Sequence, residues 1–252
     1  MSGLGGFIDL HSHILFGLDD GATDIDESLK LLQALVDAGF VRAVMTPHYI
    51  QGVYEADSNL LLDRLSTLER RCELAGLNIR LSLACEYFLD QSLVEIIDSK
   101  RALFINSKNM TILVQAPMMK IPPYMERIAF ELKLRRVVPV IAHPERYADI
   151  AKRPQRIKEF LKQGFLVQVN LGSLGGLYGE RVRLAAEKII RNGQAHFVAT
   201  DLHAAHHIDV VLNRGLKRLA QIAKEEGVRR LLVENPLHLL EGRELEEFMW
   251  RD

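Results

Sequence analysis

Ile8-Asp9-Leu10-His11-Ser12-His13-Ile14, leading into Gly17-Leu18-Asp19-Asp20-Gly21-Ala22, is the stretch on which the reading of this chain turns. An apolar run, Phe7–Leu10, gives way to two histidines two positions apart. On a strand, such residues project to the same face and can grip one ion together. Two further segments have the same character, Thr46-Pro47-His48 and Ile141-Ala142-His143-Pro144-Glu145-Arg146-Tyr147. Each places imidazole or carboxylate groups where a β-strand would end. Such groups supply the lone pairs and charge neutralisation that divalent cations need. The pattern points to a metal-dependent hydrolase.

Working outward, short apolar or β-branched runs alternate with amphipathic stretches along the whole chain. Strands are predicted at Phe7–Leu10, Val41–Thr46, Ile79–Ala84, Thr111–Val114, Val137–Ala142, Phe165–Val169, His196–Ala199 and Arg230–Val233. The clearest helix runs from Asp24 to Ala38, with Ile25, Leu29, Leu32 and Val36 as its apolar face. Asp24 caps it, Glu27 stands three residues on, and Gly39 stops it. Leu171–Gly176 reads as a loop without the lysine of a phosphate-binding loop.

This alternation without a long linker predicts one α/β domain over residues 1–252, a closed or distorted (β/α) barrel. A doubly wound open sheet is the competing architecture. His11, His48, Glu86, Gln115, His143 and Asp201 each fall within about two residues of a predicted strand end. In a barrel those ends converge on one rim, where barrel enzymes keep their active sites.

Composition narrows the class. Of 252 residues, 48% are hydrophobic and 26% charged, and the net charge is −1. That is a soluble protein with a sizeable core and no basic footprint for nucleic acid. No apolar run is long enough to cross a bilayer, and Met1–Gly6 carries no secretion signal, so a cytoplasmic location is expected. Cys72 and Cys85 lack paired spacing and read as buried thiols. Neither is followed six residues later by arginine, those positions being Asn78 and Gln91, so no cysteine-phosphatase loop is present.

Laid out together, these blocks resemble the polymerase-and-histidinol-phosphatase (PHP) superfamily. Within it they resemble the CpsB/CapC-type bacterial protein-tyrosine phosphatases of capsule and exopolysaccharide systems. The similarity runs through Thr46-Pro47-His48-Tyr49, Glu86, His143-Pro144-Glu145-Arg146-Tyr147, Asp201-Leu202-His203 and Glu234-Asn235-Pro236. It implies a distorted (β/α) barrel with two or three divalent metals on the rim, manganese foremost, with iron or zinc as alternatives. By that resemblance His11, His13, Glu86 and Asp201 hold the first ion. Glu86 and His143 hold the second, with Gln115 at the position where this branch usually has a glutamate. Asp20, His48 and His203 hold the third. A hydroxide between the first two ions would attack phosphorus, Arg146 would clamp the phosphate, and His203 would assist at the catalytic centre. Where the branch commonly offers a second arginine, this chain has Ile208, preceded by His206 and His207.

The implied substrate is phosphotyrosine in protein or peptide, with the tyrosine-rich tail of a bacterial tyrosine kinase as partner. Two alternatives stay open at this stage. One is a small phosphomonoester such as histidinol phosphate, and the other is phosphopeptide binding without turnover. His196 and His238 read as ordinary structural histidines, and Asp19 as a loop former. Arg146 has a structural alternative, pairing with Glu145. The segments Tyr49–Tyr54 and Met118–Tyr124 are candidates for rim loops that meet a peptide.

Overall fold

The computed structural model describes residues 6–243 and Leu245. Most of the stretch read for a secretion signal, Met1–Gly5, lies outside them. In chain order the first half contains β1 (Phe7–Ser12), α1 (Ile25–Asp37), β2 (Phe40–Met45), β3 (His48–Tyr49), α2 (Ser58–Ala75), β4 (Arg80–Leu83), β5 (Glu86–Phe88) and α3 (Gln91–Asp98). Then come β6 (Thr111–Gln115), α4 (Met125–Leu134), β7 (Val138–Ala142), α5 (Ala148–Lys152), α6 (Ile157–Lys162) and β8 (Leu166–Asn170). The chain continues through α7 (Leu171–Gly175), α8 (Glu180–Arg191), β9 (Phe197–Ala199), α9 (Gly215–Arg229) and α10 (Asn235–Glu241).

All the strand pairings are parallel, in the orders β1-β2-β4 and β3-β5-β6-β7-β8-β9. The two sheets are one wall broken at a single level. Thr46-Pro47 interrupts β2 and β3, and Ala84-Cys85 interrupts β4 and β5. Proline has no N–H for the ladder, yet its carbonyl still accepts from Glu86 N (3.0 Å). Seven strand paths result, and the last closes on the first. Asp201 N donates to His11 O (2.9 Å), His13 N donates to Leu202 O (3.1 Å), and Ser12 bridges Leu202. Buried Asp9 locks the seam by accepting from Thr200 N (2.9 Å) and Thr200 Oγ1 (2.5 Å). This is a distorted barrel rather than an open sheet.

Strands β1, β6 and β9 are buried throughout and β7 and β8 nearly so, as parallel strands under helices are. Ile112 and Val114 pack outward among helix residues such as Leu31, Leu35 and Ile128, while Leu113 joins Ile8, Leu10, Val44, Val140 and Phe197 in a smaller cluster. Ile105 and Leu239 belong to that smaller cluster too.

The structure corrects three details of the sequence reading. Arg230–Val233 is a helical turn, not a strand, within a π-helical segment Arg230–Glu234. The closure of β9 on β1 leaves no edge for an eighth strand, and adjacent Leu231 and Leu232 are both buried, as a helix packed over a core allows. Leu171–Gly175 is a short buried helix, ended by Gly176 at φ 91°. In α1 the buried stripe is Ser28, Leu31, Leu32 and Leu35. The apolar residues of α1 cover a wide arc, and packing centres the stripe on Leu31 and Leu35, leaving Ile25, Leu29 and Val36 partly buried. The cap is as read, since Asp24 Oδ1 accepts from Glu27 N (2.9 Å), while Glu27 Oε2 reaches back to Thr23 N (3.1 Å).

Candidate metal centre

Four side chains from three strand ends meet at one point on the C-terminal rim. His11 and His13 come from the end of β1, Glu86 opens β5, and Asp201 follows β9. His11 Nε2 and His13 Nε2 are 3.0 Å apart. Glu86 Oε2 lies 3.3 Å from both, and Asp201 Oδ1 lies 3.2 and 3.4 Å from them. All four side chains are buried.

A divalent cation fits this set. Nitrogen and oxygen donors about 2.1 Å from one ion stand roughly 3.0–3.4 Å from each other in octahedral to tetrahedral arrangements. The buried oxygens Glu86 Oε2 and Asp201 Oδ1 have no hydrogen-bond partner. Unpaired buried carboxylate oxygens are costly, and a shared cation is what these donors can bind in common.

Glu86 also reaches side chains beyond this set. Its Oε1 lies 3.0 Å from His143 Nε2, and its Oε2 lies 3.0 Å from His48 Nδ1. The second contact follows from register, because His48 and Glu86 are direct partners in the β3–β5 ladder. Outward from His48, its Nε2 is 3.4 Å from exposed Asp20 Oδ1, which is 3.6 Å from His203 Nε2. His203 also stacks on His13, with ring centroids 3.9 Å apart. The groups able to hold an ion are therefore His11, His13 and Asp201; His11, Glu86 and His143; and His13, Asp20, His48 and His203. Gln115, expected beside the second ion, has its amide 3.2 Å from His48 Nδ1, on the flank of Glu86.

Charge is unevenly shared among these groups. Burial would raise the Glu86 carboxyl, but His11 and His48 outweigh it and hold it well below the usual range. Asp201 is likewise held low against its burial, by His11 and His203 foremost. Burial pushes the His203 imidazole down to about 4, helped by neighbouring His13. Against their burial, the His11 imidazole is raised by Glu86 and Asp201, and that of His13 is raised well above its ordinary range by Asp19. Ligation requires neutral rings, so metal binding here would release protons. Two of these residues are held in strained backbone: His143 at φ 35° and Asp201 at φ 50° occupy the left-handed region.

A surrounding layer of polar residues orients these side chains. Asp19 Oδ2 accepts from His13 Nδ1 (2.7 Å) and from His48 N (2.9 Å), while Oδ1 accepts from Gly21 N (2.9 Å). Asp19 thus does more than shape a loop. Gln168 Oε1 lies 3.0 Å from His11 Nδ1, Gln168 Nε2 donates to Asn170 Oδ1 (2.7 Å), and Asn170 Nδ2 donates to Asp201 Oδ2 (2.5 Å). These bonds link His11 to Asp201 through β8, and sequence reasoning missed them. The signal was present: in Leu166-Val167-Gln168-Val169-Asn170, polar residues recur every second position of an otherwise buried strand. Buried Tyr147 donates its hydroxyl to Ala142 O (2.8 Å) and accepts from Ala116 N (2.9 Å), tying the ends of β6 and β7.

Arg146 pairs with Asp201 Oδ2 (2.9 Å) through Nη1, not with Glu145, and its guanidinium lies 4.1 Å from the Tyr178 ring centroid. Glu145 is instead a buried acceptor for Asn170 N (2.9 Å) and Ser173 Oγ (2.6 Å), and burial lifts its carboxyl to about 7. Tyr178 was not anticipated. Ile208 is partly buried against the main core, beside the short turn Ala205–His207 that carries exposed His206. Of the proposed rim loops, Tyr54 stacks near His48 (5.8 Å) and Met119 is largely exposed.

A closed parallel barrel whose rim gathers histidines and carboxylates around shared points defines a metal-dependent barrel hydrolase. Residues 7–241 match the family described as capsular polysaccharide synthesis, CpsB/CapC, and the chain belongs to that family. It is 31% identical over 204 residues to tyrosine-protein phosphatase YwqE of Bacillus subtilis (strain 168), covering 78% of this chain and 77% of that one. It is 24% identical over 240 residues to tyrosine-protein phosphatase CpsB of Streptococcus agalactiae serotype III (strain NEM316), covering 93% and 98%. A crystal structure from work on YwqE of B. subtilis and CpsB of Streptococcus pneumoniae, described as unique metal-dependent tyrosine phosphatases, superposes with a TM-score of 0.85. Identity is 28% over 95% of this chain and 96% of that one. Histidinol phosphate phosphatase of Lactococcus lactis shares the fold alone, at 11% identity and TM-score 0.53, covering 84% and 94%.

Proposed function

We propose that this chain is a metal-dependent protein-tyrosine phosphatase of capsule synthesis, with His11, His13, Glu86 and Asp201 holding the first ion. Glu86 and His143, flanked by Gln115, hold a second ion, and Asp20, His48 and His203 hold a third. The observation that carries this reading is the convergence of His11 Nε2, His13 Nε2, Glu86 Oε2 and Asp201 Oδ1 within 3.0–3.4 Å, two of them otherwise unpartnered. When bound, divalent ions here supply Lewis acidity toward phosphoryl oxygens and acidify water.

The chain's own residues do the rest. Arg146, its Nη1 held by Asp201 and its face against Tyr178, keeps its remaining donors for a phosphate; a planar guanidinium can meet two oxygens at once. His203 is fixed through Nδ1 on Asp201 O (2.9 Å), which turns Nε2 toward Asp20 at the rim. Asp19 and Gln168 each bind the far nitrogen of a ligating histidine, which fixes tautomer and ring orientation.

The natural substrate in this reading is the tyrosine-rich tail of a membrane-associated tyrosine kinase that controls polysaccharide export. A cytoplasmic location belongs to the same reading. Among the described residues, no helix is long and apolar enough to cross a membrane. The ions in this reading are manganese by preference, with iron and zinc chemically compatible. A panel of phosphotyrosine peptide, phosphoserine peptide and histidinol phosphate tests the assignment. Phosphotyrosine should be turned over fastest, and faster turnover of histidinol phosphate would move the chain to small-molecule chemistry.

A further inference from the structure

Arg146 has a second environment besides the metal rim. Between α5 and the start of α8 lies an open cleft of about 490 Å³, lined by Arg146, Tyr178, Lys152 and Arg181 among others. The cleft therefore shares with the rim the side chain read above as the phosphate clamp, while none of the candidate metal ligands lines it. Lys152 and Arg181 are exposed and have no acidic partner among the described residues. The one acidic lining residue, Glu180, is already engaged, since Arg183 binds it through Nη2 (2.6 Å) and Nε (3.0 Å). Nearby Asp149 is likewise paired, with Arg156 (3.0 Å). A chain of near-neutral net charge thus presents an uncompensated basic strip beside its phosphate-binding arginine.

We propose that this cleft is a specificity subsite in which Lys152 and Arg181 hold a second anionic side chain of the same peptide, next to the phosphotyrosine under attack. This rests on the phosphotyrosine reading above and adds a preference to it. Arg146 receives the reacting phosphate, and the peptide then follows the strip between α5 and α8. The shared ligand chemistry is a flanking anion, either a carboxylate or a second phosphorylated residue. Exposed charge contacts are individually weak and screened by salt. Selection is therefore about three- to tenfold at low ionic strength and shrinks as salt is added.

Peptides carrying a difluoromethylphosphonate analogue of phosphotyrosine resist hydrolysis, so binding to manganese-loaded protein can be read by fluorescence anisotropy. Three versions differ only in the flanking residue (Glu, Ser or Lys), and a fourth carries a second phosphonate. Wild type should bind the Glu and doubly phosphonylated peptides about three- to tenfold more tightly than the Ser peptide, and the Lys peptide more weakly. The Lys152→Ser/Arg181→Ser variant should lose that ranking while keeping the Ser-peptide Kd and its turnover of free phosphotyrosine. The Glu and phosphonate arms say which anion the strip takes. Equal affinity for all peptides, or a ranking that survives in the double variant, overturns the subsite. If wild type hydrolyses phosphotyrosine yet shows no ranking, only the subsite falls. If it neither binds nor hydrolyses, the phosphotyrosine reading falls and the subsite with it.

Discussion

Asp19 Oδ2 lies 2.7 Å from His13 Nδ1, so the nitrogen that His13 turns toward Glu86 and Asp201 is Nε2. The ion pair also raises the His13 imidazole well above its ordinary range despite burial, and brings the Asp19 carboxyl down to about 2. Losing such an outer partner typically costs 10–100-fold in metal affinity. Asp19→Asn should weaken manganese binding by about that factor, measured by metal titration of turnover, with much of the rate recovered at excess metal. An unchanged titration midpoint would remove Asp19 from the site.

Gly21 is required by space. A Cβ there would sit 2.0 Å from His13 O and 2.6 Å from His13 Cβ, against backbone that cannot swing away. Gly21→Ala should cost roughly 2–3 kcal/mol, or about 5 °C or more in Tm, and weaken metal binding through His13. Thermal unfolding with and without manganese checks both parts.

Gln115 brings a neutral amide to a point where Glu86 already supplies a buried carboxylate beside His48. Gln115→Glu would put a second negative charge there. Metal-free protein should lose about 1 kcal/mol through desolvation and repulsion, while metal affinity and turnover rise. The Tm gained on adding manganese should therefore widen. If neither affinity nor that gain changes, Gln115 does not face the ions.

His196 gives a pH signature away from the metals. Its Nδ1 accepts from Val167 N (3.0 Å), and burial, with Arg230 nearby, lowers it from 6.5 to about 4. The unfolded chain thus binds the extra proton between those values, so this contribution is present above pH 6.5 and is lost as pH falls toward 4. At pH 5 the loss is at most about 2 kcal/mol, given the ring's partial solvent contact. His196→Asn, which keeps an acceptor but cannot titrate, should lose less stability than wild type between pH 7 and pH 5 in urea unfolding. Parallel losses would contradict this.

Much of the barrel was legible because parallel strands buried on both faces leave continuous apolar runs, and the candidate ligands stand just after them. His11, Glu86, His143 and Asp201 could be phased that way. The short strands β3 and β5 were not separable, because Thr46-Pro47 and Ala84-Cys85 break the ladder without breaking the strand path. Arg230–Val233 misled because an apolar run of four has no period of its own, so a buried helical turn reads like a strand. Gln168, Asn170 and Tyr178 carry polar groups that gain meaning only when β8 and the turn before α8 are brought to the rim. The position of Gln115 beside His48 depended on strand register, which the sequence does not print.

The most direct measurement is hydrolysis of a phosphotyrosine peptide by protein stripped with chelator and reloaded with manganese, with bound metal counted in the same samples. His11→Ala and Asp201→Asn would run alongside. The account predicts turnover that vanishes on stripping and returns on reloading in wild type, with both variants short of bound metal and inactive. Full activity in stripped protein, or wild-type turnover in either variant, would contradict it.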